Sequence, residues 1–211
     1  MNKNPDNRTR ELIDYFDERA EKGIFDTYTD DDIERINAIL DDIHFPRNSA
    51  EMVLDCGCGT GRATELLASR LGPESRIVGM DLAPRMIEKA RELRSSSEGA
   101  DIEFRVGNCH EIPFDDETFD WMVVIESFPH FGNLPDFAGE ALRILKDGGN
   151  LAILDRRPSV ATNAFHRKIG GVVANDTMPS TTDFLLTLKE AGFWVMVYVD
   201  DGDGFRLMAR K

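Results

Sequence analysis

The sequence predicts an α/β chain built on a doubly wound, mostly parallel, seven-stranded sheet with helices on both faces and an antiparallel hairpin at the end. Short, near-continuous apolar runs recur at EMVLDC, RIVGMD, IEFRVG, FDWMVVIE and NLAILD, which suits strands buried on both faces. Segments of helical spacing separate most of these runs, and strand–helix alternation implies right-handed crossovers. Two later β-rich runs, WVMVYVD and FRLMARK, flank the acidic turn DGDG, the pattern of a hairpin.

Residues 1–48 read as a helical cap region ahead of the alternation. LIDYFDERAEKG puts Leu12, Ile13, Phe16 and Ala20 on one face, and a second helix does the same with Ile33, Ile36, Ile39, Leu40 and Ile43. TDDDIE supplies an N-cap and first-turn carboxylates that suit the helix dipole. Pro46 and Asn48 break the chain, and residues 49–211 form the main part of what is expected to be a single domain. ATELLASRLG and PRMIEKARELR are the helices after the first and second strands. SSSEG, residues 95–99, reads as a solvated loop. The link from third to fourth strand, through CHEIPFDDET, has no helical period and reads as a long loop or a short helical turn. LPDFAGEALRILKDGG reads as helix up to the fifth strand, and TTDFLLTLKEAGF as a helix closed by Gly192.

A net charge of −14 over 211 residues makes a general nucleic-acid binder a poor fit, because such binding relies on basic residues displacing phosphate counterions. The late cluster Arg156, Arg157, Arg167 and Lys168 is expected to be solvated loop charge. No apolar run approaches the ~18–20 residues that span a bilayer. The opening MNKNPDNRTRELIDYF is polar rather than basic-then-apolar, so a cytoplasmic location is expected. Cys56 and Cys58 are too close for a comfortable disulfide, and the third cysteine, Cys109, leaves an odd total. Without CxxC or HxxxH spacing the expectation is reduced thiols and no metal.

In VLDCGCGTGRAT, residues 53–64, Gly57, Gly59 and Gly61 fall between a strand and a helix, at the strand end where open α/β sheets bind ligands. A dinucleotide fingerprint GxGxxG would need glycine at position 62, which is Arg62; the pattern here is DxGxGxG. Asp81 ends the next strand 20 positions past Gly61, the usual distance to a carboxylate that accepts from ribose hydroxyls. Asp81 is also placed to cap the helix that opens at Pro84. GNCHEIPF, closing the third strand, would set Asn108 and the Cys109 backbone beside an adenine.

VLDCGCGTG, VGMDLAPRMIEKAR, FRVGNCHEIPF, FDWMVVIESFPHF and ALRILKDGGNLAILD, in that order, resemble the class I S-adenosylmethionine-dependent methyltransferases. Within that family the residues resemble the small-molecule enzymes that share the ubiquinone/menaquinone-methyltransferase type of core. The resemblance spans residues 50–155, and the terminal hairpin fits that Rossmann-like fold. FPHF with FHRKIGGVVANDTMP also resembles a subgroup of small members, which assigns no substrate. The resemblance implies S-adenosyl-L-methionine as cofactor and methyl transfer to a small molecule by in-line displacement. It implies that Asp55 and the turn Gly57, Cys58, Gly59 to Gly61 lie beside the cofactor's methionine portion, with Asp55 near the amino group. It further implies Asp81 on the ribose, Leu82 and Met86 flanking the adenine, and Ile125 and Glu126 near the sulfonium. Asn108 stands where the family commonly has Asp, so its amide oxygen would accept from the adenine without charge.

Methyl transfer from an activated donor draws on positioning, worth about 7–11 kcal/mol, and needs a general base only when the acceptor is protonated. Three residues qualify by position: His130 just beyond the fourth strand, Asp155 ending the fifth, and His166 in the insertion that follows. His130 would serve as the base, or pack between Phe128 and Phe131. Asp155 would orient an acceptor or cap the next segment, and His166 would line one pocket wall or sit on the surface of a short helix. Glu126 is expected to contact the cofactor or serve structure, since strong attraction to a cation that vanishes in the transition state slows the chemistry. Two other readings are a non-catalytic binder of S-adenosylmethionine or S-adenosylhomocysteine and a nicotinamide-dependent oxidoreductase. The absent glycine at 62 and the hairpin count against the latter. The expected partner is a small-molecule acceptor, with neither nucleic acid nor membrane. The N-terminal helices would lid the pocket or join a homodimer.

Overall fold

The computed structural model describes residues 6–24, 27–94 and 99–211; residues 95–98, most of the SSSEG segment, lie outside them. The five apolar runs form β1 (Met52–Cys56), β2 (Arg76–Asp81), β3 (Asp101–Val106), β4 (Phe119–Ile125) and β5 (Leu145–Asp155), and the last two runs form β6 (Trp194–Asp201) and β7 (Gly204–Arg210). They join one sheet in the order β3-β2-β1-β4-β5-β7-β6. β1 through β5 pair in parallel, and β7 runs antiparallel to both β5 and β6. The order reverses between β1 and β4, and at that switch point the connections leave in opposite directions and open a crevice beyond the strand ends.

Seven α-helices flank the sheet among the described residues: α1 (Asn7–Glu21), α2 (Asp30–Asp42), α3 (Arg62–Arg70), α4 (Pro84–Leu93), α5 (Leu134–Ile144), α6 (Ser159–Ile169) and α7 (Thr181–Ala191). Alternation along the strands sorts them onto two faces. Val53, Ile77, Val123 and Ile125 face a core with Leu40 of α2, Leu67 of α3 and Ile87 of α4. Leu54, Val78, Met122 and Val124 face the other, with Phe137 of α5 and Phe184 of α7. The caps follow sequence chemistry. Thr29 and Asp32 form a reciprocal capping box at α2, and Asp6 accepts from the Thr9 amide at α1.

One expectation is corrected. The segment read as helix through Gly149 leaves the helix at Ile144, and Leu145 enters β5 at once. Leu145 pairs with Phe119 and the ladder resumes at Asn150 opposite Trp121, so the intervening residues form a bulge. Gly148 at φ +77° supplies the left-handed step, and a Cβ at Gly149 would stand 2.8 Å from the Lys146 carbonyl. Those two glycines, read as a helix end, instead serve a kinked strand. No helix among the described residues is long and apolar enough to cross a membrane.

Candidate functional site

A cavity of about 650 Å³ fills the crevice at the switch point, within the range of roughly 300–1,000 Å³ that ligand pockets occupy. The turn after β1 forms its floor. The Gly57 and Cys58 amides donate to the Met80 carbonyl at 2.7 and 3.1 Å, tying the turn to the end of β2. A Cβ on Gly59 would meet nothing within 4 Å, whereas one on Gly61 would stand 2.6 Å from the Phe104 ring. Gly59 thus presents bare backbone to the cavity, while Gly61 permits close packing of the helix on β3.

Asp81 lines the cavity beside this turn. The Gly59 amide donates to its Oδ2 at 2.8 Å and the Ala83 amide to its Oδ1 at 2.9 Å. Desolvation raises its pKa above the ordinary carboxylate value, against those two bonds. Each oxygen keeps a lone pair for a further donor. Leu82, Met86, Asn108 and Cys109 continue the same wall.

Across the cavity stands His130, in the 3₁₀ turn Phe128–His130. Its Nδ1 lies 2.7 Å from Asp176 Oδ2. Arg8 of α1 holds Asp176 Oδ1 with one guanidinium arm and donates with the other to the Val172 carbonyl at 2.6 Å. Burial raises the Asp176 pKa, but the His130 bond and the Arg8 charge outweigh it and hold the group below the usual value. An ionised Asp176 accepts, so His130 Nδ1 carries a proton and Nε2 is the ring nitrogen that Asp176 does not engage. Phe16 packs edge-on against the imidazole, ring centroids 5.1 Å apart. Helix α1 thereby covers the crevice with Arg8, Thr9, Leu12, Phe16 and Arg19.

A family model described as a methyltransferase domain matches residues 47–191. The chain belongs to the class I S-adenosylmethionine-dependent methyltransferase family. Demethylmenaquinone methyltransferase of Listeria monocytogenes serotype 4a is 35% identical over 108 residues, 49% of this chain and 44% of that enzyme. Arsenite methyltransferase of Halobacterium salinarum is 34% identical over 108 residues, 50% of this chain and 27% of that enzyme. The chain thus spans less than half the length of these curated relatives. A chain in the complex between the Haloferax volcanii Trm112 methyltransferase activator and a methyltransferase shares the fold. Its TM-score is 0.67 at 20% identity, over 92% of this chain and 96% of that one.

Set in this methyltransferase frame, the residues expected at the site divide. Gly57, Cys58, Gly59, Asp81, Leu82, Met86, Asn108, Cys109, Ile125, Glu126 and His130 line the cavity. Asp55 does not: buried beneath the turn, it accepts from the Thr64 hydroxyl at 2.6 Å, and desolvation pushes its pKa up to about 7. Gly61 faces Phe104 rather than the cavity. Asn108 uses its amide oxygen on its own loop, accepting from the His110 amide at 3.0 Å. Asp81 serves α4 by accepting from Ala83, which itself holds the N-cap position.

The other catalytic candidates are also displaced. Asp155 is buried, accepting from the Arg157 amide at 2.8 Å and the Thr162 hydroxyl at 3.0 Å. Desolvation, with the Glu126 charge, pushes its pKa up to about 6, and its two hydrogen bonds anchor the approach to α6. His166 is buried behind the site, its ring centroid 4.8 Å from that of His130, and its Nδ1 donates to the Asp176 carbonyl at 2.7 Å. Burial lowers its pKa. It steadies the backbone of Asp176.

Arg156 corrects the reading of the basic cluster as solvated. It holds Glu126 through Nε and, at 3.1 Å, through Nη2; it also pairs with Asp32 and lies 5.0 Å from the centre of the Tyr28 ring. Its side chain is only 11% exposed, because two carboxylates and an aromatic face replace its water. Asp176 and Arg8 carried no signal in sequence. They lie 168 positions apart and meet only through the fold.

Proposed function

We propose that this protein transfers a methyl group from S-adenosylmethionine to a small-molecule acceptor held beneath helix α1, with His130 as general base. The supporting observation is one continuous cavity that runs from the Gly57–Gly61 turn and Asp81 to the His130–Asp176 pair. The residues present fit the cofactor. Bare backbone at Gly59 and unused lone pairs on Asp81 suit a ribose-bearing ligand, and Leu82 and Met86 offer apolar surface for a purine. When bound, S-adenosylmethionine supplies a sulfonium-activated methyl carbon, and its transfer leaves the neutral thioether.

The chain's own contribution is positioning, charge balance and a proton acceptor. His130 Nε2 takes the acceptor's proton as methylation proceeds, and Asp176 stabilises the imidazolium through Nδ1–H. Glu126 stands at the end of β4 with its charge already matched by Arg156, so it does not favour the sulfonium over the transition state. Leu12 and Phe16 on α1 close the cavity over the acceptor, which excludes water from the reacting atoms. The lid role for α1, in preference to a dimer interface, rests on these contacts. Three unpaired cysteines fit a reducing, cytoplasmic setting.

Calorimetric titration tests the cofactor. S-adenosylhomocysteine is expected to bind and NAD is not; binding of NAD alone overturns the reading. Turnover across phenol, amine, thiol and arsenite acceptors then tests the enzyme, and a cofactor-binding protein inert toward every class would be a binder only.

A further inference from the structure

We infer that Arg8 is a positioning residue for His130, acting through Asp176, so that seating α1 over the cavity is what aligns the base. The inference rests on the reading of His130 as base but is carried by its own geometry. A carboxylate can rotate about its Cβ–Cγ bond and so does not by itself point an oxygen at an imidazole. Here both oxygens are committed: Oδ1 to Arg8 on α1 and Oδ2 to His130 Nδ1. The planar guanidinium is itself pinned, because its other arm donates to the Val172 carbonyl at 2.6 Å. A rigid fork held at both tips fixes the plane of the carboxylate. His166 secures the same residue from behind through the Asp176 carbonyl. Asp176 and the His130 side chain are 10% and 16% exposed, so water competes poorly for either oxygen.

The remaining contacts of α1 make this a property of the seated helix. Phe16 packs on the imidazole at 5.1 Å. Phe16 and Ala20 meet Ala83 and Met86 at the start of α4, and the Arg85 amide donates to Asp17 Oδ1 at 2.8 Å. One end of α1 thus docks on α4, the other on Asp176, with the base between them. A helix lifted from the crevice to admit a ligand takes Arg8 and Phe16 with it. Asp176 is then left with His130 as its sole side-chain hydrogen-bond partner among the described residues, and the base is aligned only after closure.

Nitrogen-15 NMR of histidine-labelled protein tests this without an identified acceptor, with His130 assigned through H130N. Wild type is expected to show the Nδ1–H tautomer with its Nδ1 proton shielded from solvent exchange. D176N should abolish that signature. R8A should speed exchange of the Nδ1 proton at least about tenfold and mix the tautomers. R8K, which keeps the charge without the fork, should fall between them and serves as the test if R8A does not fold. A folded R8A or R8K with wild-type exchange and tautomer overturns the role of Arg8. A protein that binds no S-adenosylhomocysteine overturns the functional reading instead and leaves the ring measurement intact.

Discussion

Replacing Asp81 with alanine probes the proposed cofactor seat at the carboxylate that faces the cavity. The Asp81 carboxylate accepts from Gly59 and Ala83, one amide per oxygen, and its second lone pairs are available to two ribose hydroxyls. Hydrogen bonds to a charged group contribute about 1.5–3 kcal/mol each. Losing one of the weakest costs roughly tenfold in Kd, and losing two average ones on the order of a thousandfold, at ~1.4 kcal/mol per decade. The substitution also strands two amides, at about 1–3 kcal/mol each where water does not replace the carboxylate. Fold retention is therefore checked by circular dichroism and thermal melting. D81N keeps an acceptor oxygen without the charge and should fall between wild type and D81A. The assay is calorimetric titration with S-adenosylhomocysteine at neutral pH. A folded D81A that binds within about threefold of wild type, a difference under ~0.7 kcal/mol, would refute the ribose assignment.

H130N should bind S-adenosylhomocysteine like wild type yet lose about 10²–10⁴-fold in turnover of a protonated acceptor, the usual worth of a general base; undiminished turnover removes His130 from that role. Asp55, with its pKa pushed up to about 7, holds a proton in the folded chain that the unfolded chain has released. Its contribution makes stability fall as pH rises from ~4 through ~7, by linkage. D55N should flatten that part of a melting-temperature series, and an unchanged slope counts against it. R156A leaves Glu126 as an unpaired charge in a largely buried site. It should destabilise by about 3–5 kcal/mol in denaturant titration, while R156A/E126Q recovers much of the loss; equal losses in the two variants would show that the pair is not coupled.

The strands, the glycine turn and Asp81 were legible in sequence because each depends on local chemistry. Apolar runs mark strands wherever they pack, and a turn lacking Cβ atoms announces close approach by its composition alone. Even the capping box at Thr29 and Asp32 is a matter of three residues' spacing. The bulge at Gly148 was hidden because glycines after a helical segment look the same whether they end a helix or kink a strand. What decides is whether Leu145 finds a buried partner at Phe119 across the sheet.

The site divides along the same line. Sequence by itself determined the parallel sheet, the crevice after β1, and the carboxylate that faces it, since these follow from backbone freedom and hydrophobic period. Only the tertiary structure decided that Asp55 turns inward to Thr64, that Arg156 is buried between Glu126 and Asp32, and that His130 is held by Asp176 and Arg8. Charges and imidazoles have no period in a sequence. Their roles are set by which partner replaces their water, and that partner arrives from a distant segment once the apolar core has closed.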